Sequence, residues 1–320
     1  MRYEKKLIVL SSVLAALLLI WAAGMVFSPE NVAARSESAH LLVGKAADVG
    51  SIVLKGSDGS AIELAKSGGA WFLVDGAAKL PVQTQRVTGF LDALGSVSRL
   101  KVVAKTKGSW AGFQLDDAQA KRASLKDSSG KVLADIYLGG YGPTGSEVYL
   151  RREGSELSYA ADAAIASYVG YSRSTWLDLR ILASVKEGDP QTLTFTSSIA
   201  LDGKGKPPLK LDYSLTRDGK GWKAGAAQID AEAVNALVRS IIALQGEDYV
   251  SSAPPQAFAK VDARIALDLG NGGSKALEVG DSAGQDRFYA RVAGNSLVFT
   301  LSSYSLKSVL KSLADLAPKK

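Results

Sequence analysis

Cysteine is absent from the 320 residues, histidine occurs once, at His40, and methionine only twice. The missing thiols exclude disulfides, thiolate zinc sites, cysteine nucleophiles and the lipid-bearing cysteine of a bacterial lipoprotein. A Ser-His-Asp triad has only His40 to use, and His40 stands in a polar stretch close to the apolar N-terminal run. No run of five or more Lys or Arg concentrates the formal net charge of +6, so the basic excess leaves no nucleic-acid footprint. It reads instead as a solvated surface with mild attraction to anionic headgroups or wall polymers. Any enzyme built from this chain must work with carboxylates, lysine, tyrosine or serine. The 47% hydrophobic and 22% charged composition is that of a folded chain with a real core, and the length admits two ordinary domains.

The N-terminal residues 1–6 carry Arg2, Lys5 and Lys6, and an uncharged apolar run follows from Leu7 to Phe27. At about 1.5 Å per residue, its roughly 21 residues match the thickness of a bilayer core, about 30 Å. A cleavable signal peptide ordinarily has an apolar region of about 7–15 residues, so an uncleaved anchor is the better fit. Cleavage near Val32-Ala33-Ala34 is the alternative. The positive flank predicts a cytoplasmic N-terminus and an extracytoplasmic bulk, which in a bacterium means a single-pass inner-membrane protein facing the periplasm. Residues 28–47 are polar and small and read as a linker.

The remainder is stated twice. Trp71, a short turn and an amphipathic helix ending near Leu100 are matched by Trp222 and a helix ending near Leu244. At a shift of about 147, Val82 falls on Ile229, Val87 on Val234, Phe90 on Leu237, Leu91 on Val238, Leu94 on Ile241 and Val97 on Leu244. At a shift of about 140, Tyr149 and Arg151 fall on Tyr289 and Arg291, and Leu157 on Leu297. Short apolar runs around glycine-rich turns surround both helices and predict hairpins. Asp230 is placed to cap the second helix, and Tyr304 to Leu316 reads as a closing helix. The expectation is an α+β chain: a transmembrane helix, then two duplicated modules at 48–186 and 187–320, each a mainly antiparallel sheet with a packed amphipathic helix.

These features resemble a known family. The span, the doubled units, Trp71-Phe72-Leu73-Val74 with Val87 to Leu100, Ile136-Tyr137-Leu138-Gly139 with Val148-Tyr149-Leu150, and Ser174-Thr175-Trp176-Leu177-Asp178 look like the bacterial domain-of-unknown-function family numbered 4340. The resemblance covers about Ile52 to Ala317. It implies association with gliding-motility-type ABC transport systems as an auxiliary extracytoplasmic component, with an ABC-type permease and ATPase as partners. It offers no catalytic residues to carry over.

Motifs of chemistry reduce to turns. Gly140-Tyr141-Gly142-Pro143-Thr144-Gly145 spells a dinucleotide glycine pattern, but a strand follows where a helix N-terminus is needed. Gly270 to Lys275 lacks the phosphate-loop order, and Asp268 to Glu278 has Gly270 and Gly272 where calcium needs side-chain oxygens. Asp116, Asp117, Glu153, Glu156 and Asp178 are the carboxylates a glycosidase-like hydrolase would need, in a facing pair about 5–10 Å apart. Trp71 and Trp222 read as core anchors. No catalytic, cofactor-binding or metal residues are expected. The partner-binding candidates are Tyr141, Tyr149, Arg151, Arg152, Tyr171, Arg173 and Trp176, aromatic and arginine side chains on strands, a loop tip and the join between modules. The expected function is a non-enzymatic, membrane-anchored accessory or scaffold protein; a periplasmic glycan- or solute-binding module is the alternative, ahead of a carboxylate-dependent envelope hydrolase.

Overall fold

The structure is a computed structural model that describes residues 13–21, 24, 40–97, 100–202, 206–219, 221–251, 253–270 and 272–318. The expected tail 1–6, the suggested cleavage point and most of the expected span Leu7 to Phe27 lie outside the described residues. Within that span, 13–21 and Gly24 are helical, and Leu14, Leu17, Leu19, Ile20 and Trp21 are exposed. Among the described residues no helix is long and apolar enough to cross a membrane.

The expected linker, 28–47, does not extend to its predicted end. Leu41 and Leu42 are buried, the Val43 amide donates to the Leu133 carbonyl at 2.8 Å, and Ala46–Asp48 forms a 3-10 turn. Two adjacent leucines bury enough apolar surface to hold an otherwise polar stretch against the fold.

The chain divides into two compact units. One is built from Gln83–Trp176 and the described residues up to Val74, the other from Asp75–Val82 and Leu177–Lys320. The second unit therefore begins before residue 187. Leu177, Ile181, Leu182 and Val185 are buried, and the Ile181 and Gly246 amides donate to the Leu244 and Leu179 carbonyls.

The first sheet uses β1 Val49–Lys55, β2 Ala61–Ser67, β3 Ala70–Asp75, β4 Ala78–Pro81, β5 Lys101–Ala104, β6 Lys121–Asp127, β7 Val132–Tyr141, β8 Glu147–Arg152 and β9 Ser158–Asp162. Their order across the sheet is β4-β3-β2-β1-β6-β7-β8-β9-β5. The second uses β10 Pro190–Ile199, β11 Leu209–Asp218, β12 Gly221–Lys223, β13 Asp248–Val250, β14 Ala263–Leu269, β15 Ser274–Gly284, β16 Arg287–Val292 and β17 Val298–Ser302, in the order β12-β11-β10-β14-β15-β16-β17-β13. Leaving β4 aside, the two orders are one order written twice. Neighbouring strands run antiparallel in both, as in β1 with β6 and β10 with β14. The duplication seen in the sequence is thus a duplication of topology.

The helices follow the same plan: α1 Thr84–Ser96, α2 Ala164–Val169 and α3 Arg173–Trp176 in the first unit, α4 Ala231–Ile242 and α5 Ser303–Val309 in the second. Helical spacing puts Val87, Phe90, Leu91 and Leu94 of α1 on one buried face, and Val234, Leu237, Val238 and Ile241 of α4 on another. Each such side chain contributes about 2 kcal/mol of burial. The Asp230 carboxylate accepts from the Glu232 amide at 2.9 Å and caps α4 as predicted. Trp71 and Trp222 are buried. The closing helix is shorter than its apolar spacing suggested: α5 stops at Val309, and a separate 3-10 turn, Leu313–Leu316, begins where Ser312 and Asp315 form a capping box.

One contact recurs in both units. A β-carbon on Gly139 of β7 would lie 2.2 Å from the Phe113 carbonyl oxygen, and one on Gly280 of β15 would lie 1.9 Å from that of Ala257. Both carbonyls belong to short 3-10 turns, Ala111–Phe113 and Pro255–Phe258, laid against the sheet. Only glycine admits backbone this close. Gly139→Ala and Gly280→Ala are each expected to cost about 2–3 kcal/mol by overpacking, read as a lower urea midpoint at unchanged slope. A midpoint equal to that of the unaltered protein would show that the turns are not held there.

Candidate functional site

Side chains alternate along β8. Val148 and Leu150 are fully buried on one face, while Tyr149 and Arg151 share the other. Residues 107–117, with the 3-10 turns Lys107–Ser109 and Ala111–Phe113, lie against that second face. Trp110 meets Arg151, and Phe113 meets Tyr149 with ring centroids 4.5 Å apart.

On the Trp110 side, Arg151 is only 3% exposed. Its guanidinium lies 4.0 Å from the Trp110 ring centre and 3.4 Å from that of Tyr137, its cross-strand neighbour. Its Nε donates to the Leu115 carbonyl at 2.8 Å, and Nη2 donates to the exposed carboxylate of Asp117. The Tyr137 hydroxyl donates to Glu153 at 2.6 Å, and Arg122 grips Asp135 through two bonds of 2.8 and 2.7 Å. A recess of about 250 Å³ opens here, and the carboxylates of Asp117, Glu153 and Glu156 border it with Lys107, Trp110 and Arg151.

The second unit carries the same row with one residue changed. Arg122, Tyr137 and Arg151 pair across β6, β7 and β8; Arg264, Glu278 and Arg291 pair across β14, β15 and β16. There Arg291 donates to Glu278 at 2.9 Å and stacks 4.2 Å from the Phe258 ring centre. The central anion of the second row is a tyrosine in the first.

On the Phe113 side a groove of about 470 Å³ lies between the 3-10 segment and the β7–β8 hairpin, and Gln114, Gln119, Lys121, Tyr141 and Tyr149 line it. Tyr141 is 56% exposed. The register between β7 and β8 shifts between Leu138 and Tyr141, where Gly139 and Gly140 stand. Gln114 has a left-handed backbone, φ 57° and ψ 36°, a conformation costing a residue with a side chain about 1–2 kcal/mol. The glycine pattern 140–145 is the hairpin turn predicted: Gly142 donates to the Glu147 carbonyl, and Gly145 takes φ 73°.

The partner-binding candidates thus separate. Tyr141 and Tyr149 share the groove. Arg151 is a nearly buried strut. Arg152, on the opposite face, donates to the His40 carbonyl at 3.4 Å and borders a third hollow beside residues 40–43. Trp176 is completely buried, ringed by Phe90, Tyr168 and Tyr171 at 6.0–6.3 Å, and offers a partner no surface. Its expected exposure fails because α3 turns it into the core. Tyr171 is half-buried, with Arg86 stacked on it at 5.1 Å, and Arg173 is half-buried. Trp110, Gln114 and Gln119 were missed. An unperiodic Trp-Ala-Gly-Phe segment ahead of a paired glycine was the available signal.

Four of the five candidate carboxylates hold structural posts, Glu153 through Tyr137. Asp116 accepts from the Ala118 and Gln119 amides, Asp117 pairs with Arg151, and Asp178 takes two bonds from Arg180. Among the described residues no three His, Asp or Glu side chains are grouped to hold a metal ion. Burial first, and then the bond to Glu153, push the Tyr137 phenol above its ordinary range.

A family model described as "Domain of unknown function (DUF4340)" matches residues 71–263 and 223–320. No curated protein matches the chain, and no solved structure does.

Two outcomes are expected of the Arg151 row. Arg151→Lys should cost about 2 kcal/mol, because an ammonium cannot lie flat between two rings while donating to Leu115; an unchanged thermal midpoint would refute the sandwich as a strut. The neutral Tyr137 phenol is the folded form, so its contribution is complete below about pH 10 and is lost as pH rises through its higher folded value. Tyr137→Phe should therefore flatten the alkaline limb of the stability–pH curve, and an equally steep limb would count against the bond to Glu153.

Proposed function

We propose, for a chain that belongs to the DUF4340 family, that it is a non-enzymatic accessory protein of an ABC-type transport complex at the bacterial inner membrane, anchored by Leu7 to Phe27 with its two modules on the extracytoplasmic side. The observation that carries the non-enzymatic part is the engagement of four of the five candidate carboxylates: Asp116, Asp117, Glu153 and Asp178 are tied to amides, arginines or Tyr137, and Glu156 borders a recess whose other acids, Asp117 and Glu153, are so engaged. A hydrolase needs two such groups facing each other with room for substrate between them. The anchor is supported by the uncharged run itself and by the exposed apolar helix at 13–21, which has no core of its own to bury Leu17, Leu19 or Ile20. The link to a transport complex rests on the resemblance drawn from the sequence.

The two units support recognition as the task. They share a strand order and a glycine contact, yet Tyr137 and Tyr141 of the first correspond to Glu278 and Ser282 of the second. A framework kept while its polar surface is recast is what a binding scaffold needs.

The test is purification of the tagged full-length protein from its own membranes in mild detergent, with mass spectrometry of what accompanies it. An ABC permease and its ATPase in near-equal amounts are expected. Recovery of the protein alone, in repeated cross-linked preparations, would refute a stable complex.

A further inference from the structure

We infer that the groove between residues 112–121 and the β7–β8 hairpin is a saccharide-binding site, suited to a short chain of neutral or acetamido sugars. The inference rests on reading the chain as a recognition protein, not on the identity of its protein partner.

Size and lining point the same way. The groove's volume, about 470 Å³, lies among small-molecule sites, which run from about 300 to 1,000 Å³. Its polar side chains are the amides of Gln114 and Gln119, the phenols of Tyr141 and Tyr149, the Ser57 hydroxyl and the Lys121 ammonium, with no carboxylate among the lining residues. Amides and hydroxyls both donate and accept, as sugar hydroxyls and acetamido groups do. Tyrosine adds a flat apolar face for the C–H side of a pyranose ring and a polar tip for its rim. A polyanion would meet a single ammonium there, and a cation no counter-charge. An apolar ligand would strip water from the amides without replacing it. Strand addition by a peptide is closed off, because β7 and β8 are interior strands paired on both sides.

The backbone is shaped for this opening. Gly140 has no side chain where a β-carbon would stand 3.2 Å from Gln114 Oε1, so the amide can lie over the strand. Gln114 does so from the left-handed conformation, a strain that recurs at binding sites. At the matching places of the second unit, Gly140 becomes Asp281 and Tyr141 becomes Ser282, although Gly139 is kept as Gly280. The fold thus demands the first glycine only. The second glycine and the exposed tyrosine belong to the groove.

The test is calorimetric titration of the full-length protein in detergent with chitotetraose and with cellotetraose. Binding of at least one, with Kd between about 10 μM and 1 mM, is expected. Tyr141→Ala and Gln119→Ala, both at exposed positions, should each weaken it at least about tenfold, while Tyr304→Ala, exposed in the second unit, should leave it unchanged. No binding of either sugar up to about 10 mM, or binding indifferent to both groove substitutions, would overturn the assignment. Sugar binding by a protein that purifies alone would sink the transport-complex reading and leave the groove standing. Co-purification of the transporter without sugar binding would do the reverse.

Discussion

Two backbone segments touch where any side chain would keep them apart. Gly139 beneath Phe113 and Gly280 beneath Ala257 let a 3-10 turn settle onto the open face of each sheet. The arrangement of that face in the first unit depends on this approach. With the turn seated, Trp110 closes over Arg151, Phe113 over Tyr149, and Gln114 is carried to the rim of the hairpin. A face that would otherwise be solvated acquires a roof, and the gaps on either side of the roof become the recess and the groove.

The same roof in two units separates structure from task. Each unit stacks an arginine of its penultimate strand on an aromatic ring of the roof segment, Arg151 on Trp110 and Arg291 on Phe258. In the second unit Glu278, only 14% exposed, lies between Arg264 and Arg291, 3.9 and 2.9 Å from them. Buried charge satisfied within the sheet leaves little for a ligand to gain. In the first, Tyr137 stands in the centre; Arg122 is held within the sheet by Asp135, whereas Arg151 takes its acid, Asp117, from the exposed periphery. With tyrosine in place of the central glutamate, the acid partner of the penultimate-strand arginine moves from the interior to the surface.

Much of the frame was legible in the sequence because it rests on periodicity. The apolar faces of α1 and α4 follow helical spacing, so the duplication could be read from Val87 on Val234 through Leu94 on Ile241. Turns announced by glycine, and the cap at Asp230, were legible for equally local reasons. The groove was half legible: Tyr141 and Tyr149 stood out on a hairpin, but Gln114 and Gln119 reach them from a segment without period, through a contact that only the fold creates. Trp176 was misread because, beside the nearby Tyr168 and Tyr171, it packs on Phe90, far back along the chain, and a distant aromatic leaves no local mark. Leu41 and Leu42 were misread for the opposite reason, since a polar neighbourhood outweighed two residues that bind their stretch to β7.

In each sheet the strand that leaves the long helix crosses to the far edge and waits there for the last strand: β5 pairs with β9, and β13 with β17. On a ribosome, β5 emerges long before its neighbour exists, so each half closes only when its final strand is made, and such distant pairings form slowly. β9 nevertheless precedes every strand of the second sheet, so β5 meets its own partner before a sibling strand exists to compete, although tandem repeats carry a known hazard of misassembly. The edge pairs of the two sheets also differ. Tyr249 lies against Phe299 with ring centres 4.6 Å apart, whereas Val102 sits opposite Tyr159 in the first sheet. Vectorial synthesis therefore supplies every strand of the first sheet before the second has one to offer.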